Sequence, residues 1–287
     1  MYTVQFSCTV YNMTEINYKQ EGQGPPLLLL HGFPETLECW DDVVYLLQCH
    51  FTIIRADLPG YGNSPLLKDS SKKTMAKAIH ELMSGLGYKR FAVAGNDRGG
   101  LVGARLALDF PGAVSSLVIL DVIPTIDLWE AMDAGTAMGA YHMVFLAQEN
   151  GVPEALLGGC PNVFVDSFLE GWSTFGKPLS GQKKQLYHEA FNPSGVCADY
   201  RAGASQDLKH DANDRESGRK IVCPVSVLWQ EPGGEAPPFD PIKIWSRWAN
   251  ETRGRGVNCG HFLPEEQPEE VASAIAEHVT GNLLSFR

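Results

Sequence analysis

Asp97, Asp121 and His261 are the side chains whose types and settings suggest chemistry. Asp97 stands in the middle of Gly95-Asn96-Asp97-Arg98-Gly99, the small-x-nucleophile-x-small pattern of a sharp strand-to-helix turn that usually carries serine. The glycines belong to the pattern because such a turn is strained, brings strand and helix backbones close together and leaves no room for a Cβ beside the reacting side chain. With aspartate in the middle the chemistry changes. A carboxylate is anionic at neutral pH without a base, and it attacks a saturated carbon bearing a leaving group better than an amide or ester carbonyl. An aspartate in a glycine-rich turn ordinarily only braces the turn. Asp121 alone would pass for a helix N-cap and His261 for a loop residue. Their arrival in the order nucleophile, acid, histidine sets them apart.

Each of the three is expected at the carboxyl end of a parallel strand, where open α/β sheets place their ligands. Phe91 to Leu108 reads as a buried strand turning into a helix, Val114–Leu120 is a strand that delivers Asp121, and a short segment near Arg255–Asn258 precedes His261. Upstream, Thr3–Val10 and Thr14–Gln20 alternate as a starting hairpin, Pro25–Leu30 is a strand buried on both faces, and Phe51–Ala56 is another. Trp40–Leu47 and Thr74–Leu86 have helical period. This strand-helix rhythm predicts parallel crossovers and a doubly wound, mostly parallel α/β sheet. After Pro124 the rhythm breaks: Trp129–Asn150 and Val163–Trp172 read as helices between Gly- and Pro-bearing turns, with no clear buried strand. The sheet resumes at Pro224–Leu228, followed by helices near Asp240–Trp248 and Glu266–Val279. The expected organisation is an α/β core of residues 1–125 and 216–287 with a helical cap, 126–215, inserted after the sixth strand.

Composition narrows the partner. Hydrophobic residues make up 44% of the 287-residue chain, enough for a large core. A formal net charge of −11 without any Lys/Arg-rich run argues against nucleic acid or an anionic membrane surface and leaves a small-molecule substrate. The 7 cysteines are odd in number, scattered and without a Cys-x-x-Cys pair, so neither a disulfide framework nor a zinc site is expected, and no cofactor enters the reading. No basic patch followed by an apolar run opens the chain and no stretch reaches membrane-spanning length, so a cytoplasmic protein is expected, with a homodimer left open.

With these pieces in place the sequence resembles the α/β-hydrolase fold, in the aspartate-nucleophile branch that holds haloacetate (fluoroacetate) dehalogenases, haloalkane dehalogenases and epoxide hydrolases. The resemblance covers nearly the whole chain, through His31–Thr36 (HGFPET), Asp57–Gly62 (DLPGYG), Gly95–Gly100 (GNDRGG), Leu120–Thr125 (LDVIPT), Asp199–Gly203 (DYRAG) and Cys259–Phe262 (CGHF). It implies that Asp97 displaces a leaving group from an sp3 carbon to give an ester. His261, oriented by Asp121, then takes a proton from the water that attacks the ester carbonyl. It also implies an oxyanion hole formed by the backbone N–H groups of Phe33 and Arg98. Many hydrolases carry the acid one strand later, where this chain has Trp229-Gln230-Glu231-Pro232-Gly233; Glu231 is therefore a rival to Asp121, though poorly spaced.

The electrophile divides the resemblance. In haloacetate dehalogenases the residue matching Arg98 and a second arginine one helical turn later hold the substrate carboxylate, and a cap His, Trp and Tyr hold the halide. Here Arg98, His142 and Tyr200 match, but Leu101 replaces the second arginine and Met143 the tryptophan. Losing one arm of a two-arginine clamp removes roughly 1.5 to 3 kcal/mol of grip. Epoxide hydrolases place two cap donors on the epoxide oxygen, which Tyr141 or His142 together with Tyr200 could supply; against this, Arg98 stands where Trp is common. Trp172 is a further candidate for the pocket wall. Because Leu101 and Met143 enlarge and de-charge the pocket, the expectation is a hydrolase opening an epoxide or related bulky electrophile. The alternatives are a haloacetate dehalogenase-like carbon–halogen hydrolase, an epoxide-opening cyclase, and a non-catalytic ligand-binding protein on this scaffold.

Overall fold

The computed structural model of the protein describes residues 16–174 and 179–281. The expected strand Thr3–Val10 and the start of its partner Thr14–Gln20 lie outside them. Within them, a sheet contains β1 (Tyr18–Gly22), β2 (Pro26–Leu30), β3 (Thr52–Ala56), β4 (Phe91–Asn96), β5 (Val114–Leu120), β6 (Val225–Gln230) and β7 (Thr252–Val257). Their spatial order is β1-β3-β2-β4-β5-β6-β7, with β1 antiparallel to β3 and the remaining neighbours parallel. The chain runs outward from β2 to β3 and returns to β4 on the other side of β2, which makes the β2–β4 boundary the switch point where such sheets bind ligands. Register keeps the strand ends level there: Leu30 lies opposite Gly95, and Asn96 opposite Leu120.

The apolar run of β2 is buried throughout because both sheet faces are covered. Leu28 and Leu30 pack with Ile54 and Val93 on one face, while Leu27 and Leu29 pack with Ile53 and Ala94 on the other. Each fully buried leucine contributes about 1.5–3 kcal/mol. The covering helices are α1 (Asp41–Leu47), α2 (Lys72–Gly85) and α3 (Arg98–Asp109) before the break, and α12 (Pro241–Trp245), α13 (Leu263–Glu266) and α14 (Pro268–Thr280) after it. Ser71 starts α2 by accepting the N–H of Thr74 on its hydroxyl.

Between β5 and β6 run α4 (Thr125–Glu130), α5 (Ala134–Gly139), α6 (Tyr141–Leu146), α7 (Val152–Gly159), α8 (Pro161–Gly171), α9 (Gly181–Ala190), α10 (Pro193–Gly203) and α11 (Gln206–Glu216), called here the cap segment. The single helix expected over Trp129–Asn150 is therefore three short ones. Asp133 takes the N–H of Thr136 at 2.8 Å and starts α5 afresh, a local side-chain bond that competes with helix continuation. The segment expected near Arg255–Asn258 is the edge strand β7, whose exposed Arg253 and Arg255 and interleaved glycines conceal the usual apolar alternation.

Candidate active site

The chain leaves β4 at Asn96 and enters α3 at Arg98, so Asp97 alone makes the turn, at φ 45° and ψ −115°. Among the described residues, Asp97 and Asp121 (φ 48°) are the non-glycine positions with positive φ. Backbone of this kind costs about 1–3 kcal/mol per residue and persists where its surroundings over-determine it. The glycines of the turn are part of that constraint. A Cβ on Gly95 would lie 2.3 Å from the Gly99 carbonyl oxygen, and one on Gly99 would lie 2.3 Å from that of Leu30.

Asp97 Oδ2 accepts the backbone N–H of Phe33 at 3.0 Å. The N–H of Arg98, first in α3, has no acceptor within the helix and stands at the positive end of its dipole. The loop presenting Phe33 is braced by His31, fully buried: Nε2 accepts the Leu58 N–H at 2.9 Å, and Nδ1 faces the Gly32 carbonyl at 2.8 Å.

His261 Nδ1 and Asp121 Oδ2 are 2.6 Å apart. Gln230 fixes the aspartate from the next strand, its backbone N–H reaching Oδ1 at 3.0 Å and its Nε2 reaching Oδ2 at 2.7 Å. Glu231 is turned elsewhere and accepts the Trp229 indole N–H at 2.7 Å. The loop carrying His261 is pinned in turn: its own N–H donates to the Trp172 carbonyl at 2.9 Å, and Glu266 accepts the N–H groups of Gly260, at 2.9 Å, and Phe262, at 3.2 Å. His261 Nε2 is buried and has no protein partner among the described residues. Burial by itself would lower the imidazole pKa, but the hydrogen bond and charge of Asp121, joined by Asp97 and Glu35, push it up to about 9.

Asp97, Asp121 and His261 line one cavity of about 500 Å³, together with Arg98, His142, Trp172 and Tyr200. Tyr141 does not reach it; that residue is 46% exposed and stacks on Phe168. Its neighbour His142 faces inward, 4.9 Å from the Trp172 ring, 5.4 Å from that of Tyr200, and stacked on Phe33 at 5.9 Å. Burial, then the positive charges of Arg98 and His261, lower His142 to about 3, so it is a neutral imidazole with a single N–H rather than an imidazolium donor. No hydrogen bond reaches the Tyr200 hydroxyl from any described residue. Burial raises the Tyr200 pKa, opposed by Arg98, so the phenol keeps its proton.

Arg98 is the residue whose setting differs most from expectation. Its guanidinium grips the cap-segment residue Asp199 with two bonds, Nε to Oδ2 at 2.8 Å and Nη2 to Oδ1 at 2.9 Å, and lies 4.3 Å over the Tyr200 ring. Asp199, fully buried, also receives Lys72 Nζ and, at 2.7 Å, the Tyr61 hydroxyl. Burial would raise this carboxyl, but the charges of Arg98 and Lys72 hold it well below the usual carboxylate range. Among the described residues, the other charged ones on the cavity wall are Asp97, Asp121, Glu235 and His261. The remaining wall is largely apolar and includes Leu101, Ile123, Leu128, Met143, Pro237 and Phe239. Sequence reasoning missed Asp199 as a partner of Arg98, Gln230 as a brace for Asp121, and Glu266 as the organiser of the histidine loop.

Fold and site define an α/β hydrolase: the chain belongs to the α/β-hydrolase fold family, whose profile matches residues 25–268. It is an enzyme, a hydrolase acting on small molecules. A fluoroacetate dehalogenase from Burkholderia sp. is 36% identical over 92% of this chain and 90% of its own length. A soluble epoxide hydrolase from Corynebacterium sp. (strain C12) is 31% identical over 91% of this chain and 92% of its own. Among solved structures, one from Nostoc sp PCC 7120 superposes with a TM-score of 0.90 at 40% identity, covering 95% of this chain and 97% of that one. The epoxide hydrolase CorEH gives 0.85 at 29% identity, covering 94% and 97%. No helix of the described residues is long and apolar enough to cross a membrane.

Proposed function

We propose that this hydrolase opens a neutral electrophilic carbon, an epoxide above all, through an ester on Asp97. One observation carries the choice of electrophile: the Arg98 guanidinium is already paired with Asp199, and among the described residues no second cation beyond His261 lines the cavity. A substrate carboxylate would find half a clamp with its charge offset, beside the carboxylates of Asp97, Asp121 and Glu235. The volume of about 500 Å³ lies in the range that holds drug-sized ligands, and a small haloacid would leave most of it empty.

In this reading the Phe33 N–H fixes Asp97 Oδ2 and leaves Oδ1 to attack the epoxide carbon. The C–O bond of the ring breaks as the ester bond forms. Tyr200 O–H and the single N–H of His142, both from the cap segment of residues 126–215, donate to the departing oxygen. Esterification removes the negative charge of Asp97, one of the charges that holds His261 protonated, so the imidazole pKa falls when a base is required. Its proton ends on the opened hydroxyl. Neutral His261 Nε2 then takes a proton from water as that water adds to the ester carbonyl. The oxyanion forms at Oδ2 between the N–H groups of Phe33 and Arg98, and collapse releases a diol and restores Asp97.

Carbon–halogen hydrolysis by the same machinery is the second reading. It is supported by the 36% identity to a fluoroacetate dehalogenase and by His142 and Tyr200, which could cradle a halide as well as an alkoxide. Product analysis separates the two. Diol from terminal epoxides such as styrene oxide, with no halide from chloroacetate or fluoroacetate, supports the epoxide reading; halide release with inert epoxides overturns it.

A further inference from the structure

Glu35, whose charge acts on His261, and Glu265, which acts on Glu35, are two carboxyl groups that the chemistry above does not use. Glu35, 1% exposed, follows the Phe33 loop, and Glu265 belongs to α13. Glu35 Oε2 accepts the Gly32 N–H at 3.3 Å and Asn96 Nδ2 at 3.1 Å. Glu265 Oε1 accepts the Tyr187 hydroxyl at 2.7 Å. The other oxygen of each, Glu35 Oε1 and Glu265 Oε2, is buried with no partner among the described residues, although the two groups are within hydrogen-bonding reach of each other. Two carboxylates have no proton to exchange, whereas one acid and one carboxylate satisfy both oxygens with a single O–H.

We propose that Glu265 keeps a proton and donates it to Glu35 Oε1, so that the pair carries one buried negative charge, seated on Glu35, that serves as a positioning charge for the His261 imidazolium. Its functional meaning rests on the reading of His261 as the base. The charge belongs on Glu35 because that residue already has two N–H donors on one oxygen and its charge acts on His261, while Glu265 has a hydroxyl and, at 4.0 Å, Lys183 Nζ. The other titratable groups around the pair are Cys39 from the turn after β2, Tyr187 and Lys183 from α9, and Asp41 through its bond to Lys183. Burial pushes Cys39 and Tyr187 up, so both stay neutral and neither competes for the charge. Burial likewise raises both glutamates, as sharing one proton requires.

Infrared difference spectra of the intact enzyme at neutral pH read the carbonyl stretch of a protonated carboxylic acid. Glu35→Gln and Glu265→Gln each leave one ionised carboxylate facing an amide N–H, so the same acid band should vanish in both. NMR titration of the His261 ring distinguishes the two variants. Glu35→Gln moves the charge onto Glu265, which is not among the acids that act on His261, and should lower the midpoint by roughly one pH unit, whereas Glu265→Gln should leave it in place because the charge stays on Glu35. A band that persists in both variants, or an equal fall of the His261 midpoint in both, would overturn the proposal. Neither readout needs turnover, so failure of the Asp97 ester would show separately from failure of the shared proton.

Discussion

The Arg98 guanidinium and the Asp199 carboxylate face each other in a parallel two-bond pair, at 2.8 and 2.9 Å, fully inside the protein. The bond joins the Asp97 turn to cap-segment helix α10, and through Lys72 and Tyr61 it also ties α2 and the Asp57–Gly62 loop to the same carboxylate. A single side chain thus both ties the cap segment to the core and offsets the charge of Arg98 on the cavity wall.

Asp199→Asn should therefore act twice. It keeps the shape but strips the charge, leaving the buried Arg98 without its carboxylate and Lys72 with Asp207 alone, at 3.6 Å, and should destabilise the fold by about 3–5 kcal/mol in urea titrations. Because the folded pKa of Asp199 is depressed, its contribution is present above the unfolded value near about 4 and is lost as pH falls toward the folded one, so the deficit of the variant should shrink in acid. Freed from its partner, Arg98 should also bind small carboxylates, seen as stronger competitive inhibition by acetate. Unchanged inhibition would count against Asp199 as the residue that excludes anions.

In the proposed mechanism the pH dependence of the second half-reaction follows from His261. In the resting enzyme its pKa is pushed up to about 9, and the proposed ester would lack the Asp97 charge that contributes to it. Decay of a pre-formed ester in single-turnover experiments should accelerate with rising pH and level off at a midpoint below 9. In the resting enzyme the stabilisation from the raised pKa is complete below the unfolded histidine value of about 6.5 and is lost as pH rises through the folded value. Asp121→Asn should reduce that alkaline loss of stability; a melting temperature with the same pH profile in both proteins would contradict the assignment of Asp121 as the main source of the shift.

Tyr200 and Tyr141 offer a paired comparison. Tyr200→Phe removes a donor from the cavity and should lower kcat on an epoxide roughly 10²-fold with a much smaller change in KM, the signature of a bond made in the transition state. Tyr141→Phe, on the outer face of α6, should leave both constants unchanged. Equal losses in the two variants would mean that the cap segment presents a different face to substrate during turnover.

Much of this site was legible before the structure. Gly95 and Gly99 flag the turn because backbone from α3 and β2 occupies the place of any Cβ there, and a steric demand of that kind is written into residue type. Asp121 and His261 were legible as residues following strands, and they meet at 2.6 Å. The pairing of Arg98 with Asp199 was not, since the residues are separated by 101 positions and by the junction of core and cap segment, and composition carries no trace of which acid meets which base. The choice between Tyr141 and His142 was equally hidden: α6 spans only Tyr141–Leu146, too short for helical period to mark its inner face. Gln230 was overlooked in favour of the acid beside it, although adjacent residues at a strand end point in opposite directions, which sends Glu231 to Trp229 and Gln230 to Asp121.

Mass spectrometry of His261→Gln after exposure to an epoxide tests the central claim, that the Asp97 carboxylate itself forms the bond to carbon. Without the base the ester cannot be hydrolysed, so the protein should gain the mass of one substrate molecule, localised by peptide mapping to Asp97, and Asp97→Asn introduced into the same background should abolish the gain. An unmodified His261→Gln protein exposed to an epoxide that the wild type turns over, or an adduct mapped to another residue, would contradict attack by Asp97.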